Sequence, residues 1–287
     1  MERYGLVLEG GGMRGAYTAG ATAWLNDHNI TFDYGVGISS GAIALACFMK
    51  KDKETPYLLA THYIAEDGTV GLKALINEGH YVAYRKVFHH DLLEKQNFSV
   101  KELREQNPDI EFGLYDLTRG KTVFYNAKDL DDDLDLLRGA CALPIASEVV
   151  EHNGSKLLDG GVTKMIPIER AMEKGCTKFF VITTKPEGFT RKPANKIVLF
   201  LMRILYPYCP QIRADYKQRH LNYVHQMNMI EEEVKKKNAI LIRPSKTIPI
   251  SRFKGDEENL KKLYQLGYDD MESRKEEIYQ FMEKKND

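Results

Sequence analysis

The sequence predicts an α/β fold with a mostly parallel sheet, because two apolar runs each end at a glycine turn that leads into helix formers. The run at residues 4–8 ends at the turn Gly10–Gly15 (GGGMRG), and the run at residues 34–36 ends at Gly37–Gly41 (GISSG). Strand, tight turn and helix in this order are typical of the strand-to-helix corners of open parallel sheets. We therefore expect both turns at the same edge of one sheet.

The first strand is expected at residues 4–8, and the helix that follows Gly15 is expected to end near Asp27. Small residues lie three and four positions apart along one face of this helix: Ala16, Ala19, Gly20 and Ala23. We expect that face to lie close on the sheet and to hold the glycine turn in place. The second strand is predicted to end at Ile38, before an apolar helix that carries Ala42 to Phe48.

The rest of the chain supplies further elements in an order that suits the same fold. Residues 51–108 are more charged, and we expect them to form mainly helices that cap the sheet edge. A glycine turn between two β-prone runs predicts a hairpin, and later apolar runs predict three more strands. These strands are expected at about 110–115, 122–125, 155–158, 179–184 and 239–242, with helices at about 130–139, 213–237 and 256–286. The last two helices are predicted to dock on the outside of the sheet.

Composition and chain organisation narrow the class of protein. Lysine plus arginine and aspartate plus glutamate number 41 each, so no overall charge favours nucleic acid or an anionic membrane. The chain shows no linker and no repeat, which predicts a single domain over residues 1–287. Within it we expect a core over about 4–184, followed over about 190–287 by helical decoration and a late strand.

Cysteine spacing and the start of the chain indicate a cytoplasmic protein. The four cysteines are far apart and lack the spacing of metal ligands; they are Cys47, Cys141, Cys176 and Cys209. The chain runs into its first strand without the pattern of a signal peptide. We therefore expect reduced thiols and no metal or other cofactor, whereas the oligomeric state is left open.

The longest apolar stretch, Ile197–Tyr206, contains Arg203 and is too short to span a bilayer, which needs about 20 apolar residues. It predicts a core helix in preference to one that lies at a lipid interface. Basic residues precede it, so the interfacial alternative stays open.

The two glycine turns carry the residues of an acyl-transfer site. Ser39 lies between Gly37 and Gly41 with the spacing of a nucleophile elbow, in which a sharp turn presents a serine hydroxyl above the sheet. A serine needs a base to accept its proton and donors for the oxyanion that forms. The backbone amides of Gly11 and Gly12, at the start of a helix, are candidate donors.

The sequence offers no convincing histidine as that base. In the chain order of the α/β-hydrolases, the base would be His220 or His225. Both lie in a charged stretch that is typical of a solvent-facing helix. Ser39 also occurs too early in the chain for that fold, because only one strand precedes its own strand.

Three motifs together resemble the patatin-like phospholipases, a family of serine lipid acyl hydrolases with a Ser-Asp dyad. The family's glycine-rich motif matches Gly10–Gly15, its nucleophile motif matches Gly37–Gly41, and its D-G-A/G motif matches Asp159–Gly161. The order and spacing of the motifs also agree with the family over residues 4 to about 184. Glu9 stands where many members have aspartate, a departure outside the glycine turn.

The resemblance implies a three-layer α/β/α sandwich in which Ser39 is the nucleophile and Asp159 is the general base. It also implies that the loop of Gly10, Gly11, Gly12 and Gly15 forms the oxyanion hole, with Arg14 bracing it. The implied reaction is metal-independent hydrolysis of phospholipids, lysophospholipids or related carboxylic esters through an acyl-enzyme intermediate. A lipid substrate also leaves peripheral contact with a membrane open.

Two other functions fit parts of the sequence. Gly10, Gly12 and Gly15 also spell the G-x-G-x-x-G of dinucleotide-binding proteins, but that fold needs an acid at the carboxyl end of the second strand. Asp33 instead lies at the beginning of that strand. A lipid-binding scaffold without catalysis is the second alternative, and the presence of both Ser39 and Asp159 argues against it.

Overall fold

A computed structural model describes residues 2–283 of the chain. Its strands are β1 (Tyr4–Leu8), β2 (Tyr34–Ile38), β3 (Ile110–Asp116), β4 (Lys121–Asn126), β5 (Val150–His152), β6 (Ser155–Asp159), β7 (Lys178–Ile182) and β8 (Ala239–Ile242). Within the described residues they form one sheet in the order β5-β6-β3-β2-β1-β7-β8, with β4 also paired to β3. The neighbours β3, β2, β1, β7 and β8 run parallel, so the predicted α/β fold with a mostly parallel sheet is confirmed.

Helices cover both faces of this sheet. The α-helices are α1 (Gly15–Asp27), α2 (Ser40–Met49), α3 (Glu54–Thr61), α4 (Leu72–Glu78), α5 (Lys101–Gln106), α6 (Asp135–Cys141), α7 (Ile168–Glu173), α8 (Lys196–Leu205), α9 (Pro210–Lys235), α10 (Glu257–Ser273) and α11 (Lys275–Glu283). A π-helical segment, Lys86–Lys95, lies between α4 and α5. Strand side chains alternate between two cores: Leu6 and Phe180 belong to the core on one face, and Val7 and Val181 to the core on the other.

The arrangement of strands around β3 brings two distant parts of the chain together. One edge of β3 pairs with β4 along residues 111–116. The other edge pairs first with parallel β2, as far as Ile38 opposite Gly113, and then with antiparallel β6, from Asp159 opposite Leu114. The carboxyl ends of β2 and β6 therefore meet end to end at the middle of β3.

The C-terminal helices pack differently from the sequence prediction. Helix α9 lies on the sheet as expected, with Tyr223 and Ile230 in the core beside β1 and β7. Helix α10 packs on α1 instead. The two helices lie so close together that a Cβ atom at Gly20 would lie 1.9 Å from the carbonyl oxygen of Tyr264. Gly20 therefore allows close contact between two helices, and the prediction that it faces the sheet is wrong.

Helix α8 corrects a second expectation. Met202 is buried, but the apolar side chains of Ile197, Phe200, Ile204 and Leu205 are 67%, 59%, 56% and 49% exposed. The prediction of a core helix over 197–206 is therefore wrong for most of its apolar residues. No helix in the part of the chain that the structure describes is both long and apolar enough to cross a membrane.

Two smaller differences concern the segment before β6. The short strand β5 has no sequence prediction, because three residues are too few to show a β pattern. Helix α6 begins at Asp135 rather than near residue 130. Before the helix, the Asp131 carboxylate accepts hydrogen bonds from the N–H groups of Asp135 and Leu136.

The predicted helix over 256–286 is divided into α10 and α11, and its last three residues lie outside the described residues.

Candidate active site

Ser39 occupies the sharp turn between β2 and α2. Its backbone has φ 55° and ψ −127°, a conformation that L residues rarely adopt outside tightly constrained turns. A Cβ atom at Gly37 would lie 2.4 Å from the carbonyl oxygen of Gly41, and one at Gly41 would lie 2.7 Å from that of Leu8. Only glycine fits at either position, which explains the G-x-S-x-G spacing in steric terms.

Asp159 ends β6 and lies beside Ser39. Its carboxylate accepts a hydrogen bond from the Ser39 hydroxyl and another, 2.7 Å long, from the Gly161 N–H. Asp159 is 3% exposed. Burial raises the pKa of this carboxyl, although both hydrogen bonds and the positive charges of Arg219 and Arg252 act in the opposite direction.

Steric limits also explain why glycine occupies the two positions after Asp159. A Cβ atom at Gly160 would lie 2.4 Å from the carbonyl oxygen of Gly113 on β3, and one at Gly161 would lie 2.9 Å from Oδ1 of Asp159. A side chain at either glycine would push β6 away from β3 or displace the carboxylate. The D-G-G sequence thus keeps Asp159 at the end of β2.

The glycine turn at residues 10–15 lies against the Ser39 turn. Gly10, Gly11 and Gly12 line one cleft together with Ser39 and Asp159. The Gly10 N–H donates to the Met165 carbonyl oxygen at 3.2 Å, and the Gly11 N–H donates to Oγ of Ser40 at 2.9 Å.

Gly12 differs from the two glycines before it. Its φ is +60°, and within residues 2–283 its N–H has no protein acceptor. Gly15 lies so close to Ser40 that a Cβ atom would approach the Ser40 Cβ to 2.5 Å. The structure therefore places the expected loop at the site, with one of the two expected amides, that of Gly11, already bound to Ser40.

Glu9 is a buried anchor of this loop, a role that sequence reasoning missed. It is fully buried and accepts hydrogen bonds from the N–H and the hydroxyl of Thr184, at 2.6 and 3.0 Å, and from Nζ of Lys185. Burial lowers the pKa of Lys185 to about 7, against the attraction of the Glu9 charge. The residue before the glycines thus ties the loop to the end of β7.

A large apolar cavity opens beside Ser39. Its volume is about 740 Å³, its open mouth included, and Ser39 and Ser40 are among the residues that line it. The walls come from α1, α2, α3, the π-helical segment and the loops near them, and include Ile43, Leu59, Val82, Phe88, Leu143 and Phe253. The predicted cap over residues 51–108 therefore forms much of this wall.

The two histidines that sequence analysis considered do not contact Asp159. The His225 side chain is exposed and that of His220 is half-buried on α9. Among the described residues, the Asp159 carboxylate has hydrogen bonds to Ser39 and Gly161 only. Asp33, the acid of the dinucleotide-binding alternative, accepts a hydrogen bond from the Tyr4 N–H at the opposite end of the sheet. These positions support neither a histidine as the base nor a dinucleotide-binding site.

Several arginines surround the cleft, and sequence reasoning missed most of them. Arg219 on α9 and Arg252, from the loop after β8, line the cleft with Ser39. Arg14 and Arg191 lie close enough to Arg252 for their charges to repel it. No local pattern identifies such a cluster, because its members come from four separate segments of the chain.

A strained serine turn, a buried carboxylate and a glycine loop on an α/β sheet define the class to which this chain is assigned. A family model described as patatin-like phospholipase matches residues 6–172. The match covers more than half of the 287 residues, so the chain belongs to the patatin-like phospholipase family, a class of ester-bond hydrolases. A second model, for a domain of unknown function (DUF6363), matches residues 209–283.

Two relatives and one solved structure illustrate the similarity. "Probable lipid hydrolase 463L" of Invertebrate iridescent virus 6 is 29% identical over 186 residues, which are 58% of this chain and 63% of the relative. "Uncharacterized protein YjjU" of Escherichia coli (strain K12) is 27% identical over 208 residues, 67% of this chain and 54% of the relative. The chain thus spans less than two thirds of the length of either.

The crystal structure of VipD from Legionella pneumophila shares the fold. Its TM-score is 0.50 at 12% identity, and the match covers 95% of this chain and 66% of that one.

Proposed function

We propose that this chain is a serine lipid acyl hydrolase in which Ser39 and Asp159 form the catalytic dyad. The observation that carries the proposal is the hydrogen bond between the Ser39 hydroxyl and the buried Asp159 carboxylate, with Ser39 in the wall of a large apolar cavity. The nucleophile needs a base within hydrogen-bond reach, and Asp159 satisfies that condition. Burial raises its pKa, which makes it a stronger base than an exposed aspartate.

In the proposed reaction Oγ of Ser39 attacks the ester carbonyl carbon while its proton passes to Asp159. The carbonyl oxygen becomes an oxyanion, which the Gly12 N–H and neighbouring loop amides would stabilise. The intermediate then collapses, the ester C–O bond breaks, and the alcohol leaves with the proton from Asp159. A water molecule, deprotonated by Asp159, attacks the acyl-Ser39 ester and releases the carboxylic acid, and Ser39 regains its proton.

The apolar cavity supports a lipid acyl chain as the group that is transferred. Burial of each methylene of such a chain contributes about 0.8 kcal/mol. Ser39 lines this cavity, so a chain held in it would bring its carbonyl group to the nucleophile. The "lipid hydrolase" in the name of the viral relative agrees with this substrate class.

We also propose that the enzyme reaches its substrate through a lipid-facing surface formed by α8 and the segment at residues 72–81. Both carry strongly exposed apolar side chains, including Phe200 and Ile204 on α8 and Leu72 and Ile76 on α4. Exposed cations accompany those of α8, namely Lys192, Lys196 and Arg203, and suit the headgroups of an anionic bilayer.

The residues that directly follow the two parts of the lipid-facing surface contact the loop at residues 143–147. The Ile145 N–H donates to Oη of Tyr206, just after α8, and the Val82 N–H donates to the Ala146 carbonyl oxygen. Leu143 of the same loop lines the apolar cavity and the cleft. This loop therefore links the lipid-facing surface to the proposed site of chemistry.

Labelling with a fluorophosphonate tests the nucleophile. Wild-type protein should be labelled and Ser39→Ala should not, and only the wild type should hydrolyse a panel of phospholipids, lysophospholipids and short-chain esters. Ser40→Ala is a matched control that keeps Ser39 and should still be labelled. Equal labelling of folded wild type and Ser39→Ala, or no labelling of either, would contradict the proposal.

A further inference from the structure

Four arginines converge beside the cleft that contains Ser39. Arg14 follows the glycine turn, Arg191 precedes α8, Arg219 lies on α9, and Arg252 lies in the loop between β8 and α10. Each side chain is half-buried. Arg219 and Arg252 line the cleft, and Arg252 also borders the apolar cavity.

Within residues 2–283 these arginines have no ion-pair partner. Among the residues that the structure describes, none of the four has a carboxylate oxygen within 4.0 Å. The carboxylates whose charges reach them are Glu9 and Asp159. Glu9 is bound to Lys185 and Thr184, and Asp159 is bound to Ser39 and Gly161.

Two of the guanidinium groups have unused donors. Nε of Arg14 and Nε of Arg191 are buried and have no hydrogen-bond partner within residues 2–283. Buried polar groups without a partner are uncommon in native proteins, because each one costs the free energy of its lost hydration. An unpaired donor on a guanidinium group is therefore a sign of a missing acceptor.

The neighbouring Tyr216 reports a positive local potential. Burial by itself would raise the pKa of this phenol, but the charges of Arg219 and Arg252 and a hydrogen bond from Arg252 outweigh burial and lower it. Burial, and after it the repulsion of neighbouring arginines, lowers the pKa of Arg191 and Arg219. Such crowding of like charges is unfavourable unless an anion occupies the space between them.

We propose that Arg191, Arg219 and Arg252 form a subsite for the phosphate group of an ester substrate, which rests on the function proposed above. Guanidinium groups bind phosphate oxygens in a bidentate manner, so arginine suits this role better than lysine. The acyl chain would occupy the apolar cavity, its carbonyl group would lie at Ser39, and the phosphate would lie among the arginines. The substrate class is thereby narrowed to acyl esters that carry a phosphate near the ester bond.

This subsite also assigns a role to the C-terminal segment. Arg219 and Arg252 both lie within residues 209–283, the part that matches the domain of unknown function. Arg219 in addition donates to the carbonyl oxygen of Gly161, two residues after Asp159. The segment would therefore complete the substrate site, in addition to covering the sheet.

A minimal pair of substrates tests the subsite: monolauroylglycerol and lauroyl lysophosphatidic acid, which differ only by the phosphate. In the same neutral detergent micelles, wild type should have the higher kcat/KM on the phosphate-bearing ester. Loss of one charge-assisted contact in Arg191→Gln should lower that value about 10- to 100-fold, and kcat/KM on monolauroylglycerol, which has no phosphate, should fall much less. Arg213→Gln, an exposed arginine on α9, is the matched control and should behave as wild type.

A binding measurement separates this proposal from the proposed function. On the Ser39→Ala background, calorimetry with lauroyl lysophosphatidic acid should show binding that Arg252→Gln weakens about 10- to 100-fold. Equal loss on both esters, no preference of wild type for the phosphate-bearing ester, or binding of inorganic phosphate without such a preference would overturn the subsite and leave the hydrolase proposal standing. Failure of fluorophosphonate labelling would instead overturn the dyad, while calorimetry would still test the subsite.

Discussion

At the scale of single residues, Asp159 combines two roles that oppose each other. Burial raises the pKa of its carboxyl, and the ionised form is the one that accepts the Ser39 hydrogen bond. Retaining an ionised carboxylate in this setting lowers the stability of the fold. A base for serine requires that same setting, so activity and stability compete at this position.

We expect Asp159→Asn to lower esterase turnover about a hundred- to ten-thousandfold, the usual contribution of a general base. The asparagine Oδ1 can still accept the Gly161 N–H, so the fold should survive, as circular dichroism would verify. His220→Ala/His225→Ala is the control and should retain turnover within about twofold. A folded but inactive histidine double variant would contradict the dyad.

The same substitution should change stability in a pH-dependent manner. An aspartate whose pKa is raised in the folded state is destabilising when ionised, that is, above its unfolded-state pKa of about 3.9. Asp159→Asn should therefore unfold at higher urea concentration than wild type at neutral pH. The gain should shrink as the pH falls through the raised pKa of Asp159 and vanish below its unfolded-state value. A gain that is the same at acidic pH would contradict the raised pKa.

The glycine loop makes a second prediction at the residue scale. A Cβ atom at Gly11 would lie 2.8 Å from Cγ2 of Thr184, so Gly11→Ala should shift the loop amides away from the oxyanion. Loss of one such donor lowers kcat about a hundred- to a thousandfold and leaves KM nearly unchanged.

The matched variant for this prediction is Gly11→Ala/Thr184→Ser, which removes the clashing methyl group and keeps the hydroxyl that donates to Glu9. It should recover part of the lost turnover. If Gly11→Ala instead raises KM alone, the loop serves ground-state binding and not the oxyanion.

At the scale of elements, α8 shows that apolar sequence does not by itself mean burial. One side of the helix packs through Met202 on the core near β6, and the opposite side presents Phe200 and Ile204 to solvent. A run of ten residues can be apolar because it is buried in the core or because it presents an apolar surface. Only the elements that pack against it distinguish the two cases.

We expect Phe200→Ser/Ile204→Ser to lower activity on anionic vesicles about tenfold or more, because each buried side chain contributes about 1.5 kcal/mol or more. Hydrolysis of a soluble short-chain ester should stay near the wild-type rate, since both side chains are exposed in the free protein. Leu221→Ser/Val224→Ser, at exposed apolar positions of α9, is the control. A parallel loss on both substrates with a lowered Tm would end the interfacial proposal.

At the scale of the whole molecule, the C-terminal segment is part of the same packed unit as the family core. Strand β8 extends the central sheet beside β7, and α10 lies on α1, where Trp24 donates to Glu272 at 2.7 Å. We propose on these grounds that residues 2–283 fold as one domain, although two family models divide the chain.

The single tryptophan offers a test of that proposal. Trp24 is fully buried on α1 next to α10 and α11, so its fluorescence reports on the contact between the core and the C-terminal helices. If the chain is one domain, urea unfolding followed by tryptophan fluorescence and by far-ultraviolet circular dichroism should give coincident transitions. A fluorescence change that precedes the loss of secondary structure would indicate two separately folding units.

The local features of this protein follow directly from its amino-acid sequence. The strand-to-helix corners, the glycines around Ser39 and the D-G-G turn can be predicted because each depends on steric limits within a few residues, and the structure has these turns at the expected positions. The parallel order of the early strands follows from the helices that connect them. The resemblance to a family depends on these same short motifs.

How these features combine depends on contacts that form only in the folded protein. The meeting of β2 and β6 depends on β4 occupying the other edge of β3, which no local pattern records. The arginine cluster, the apolar cavity and the exposure of α8 likewise depend on contacts between segments that are far apart in the chain. Such contacts follow from which surfaces pack to exclude water, a property of the whole fold and not of any window of sequence.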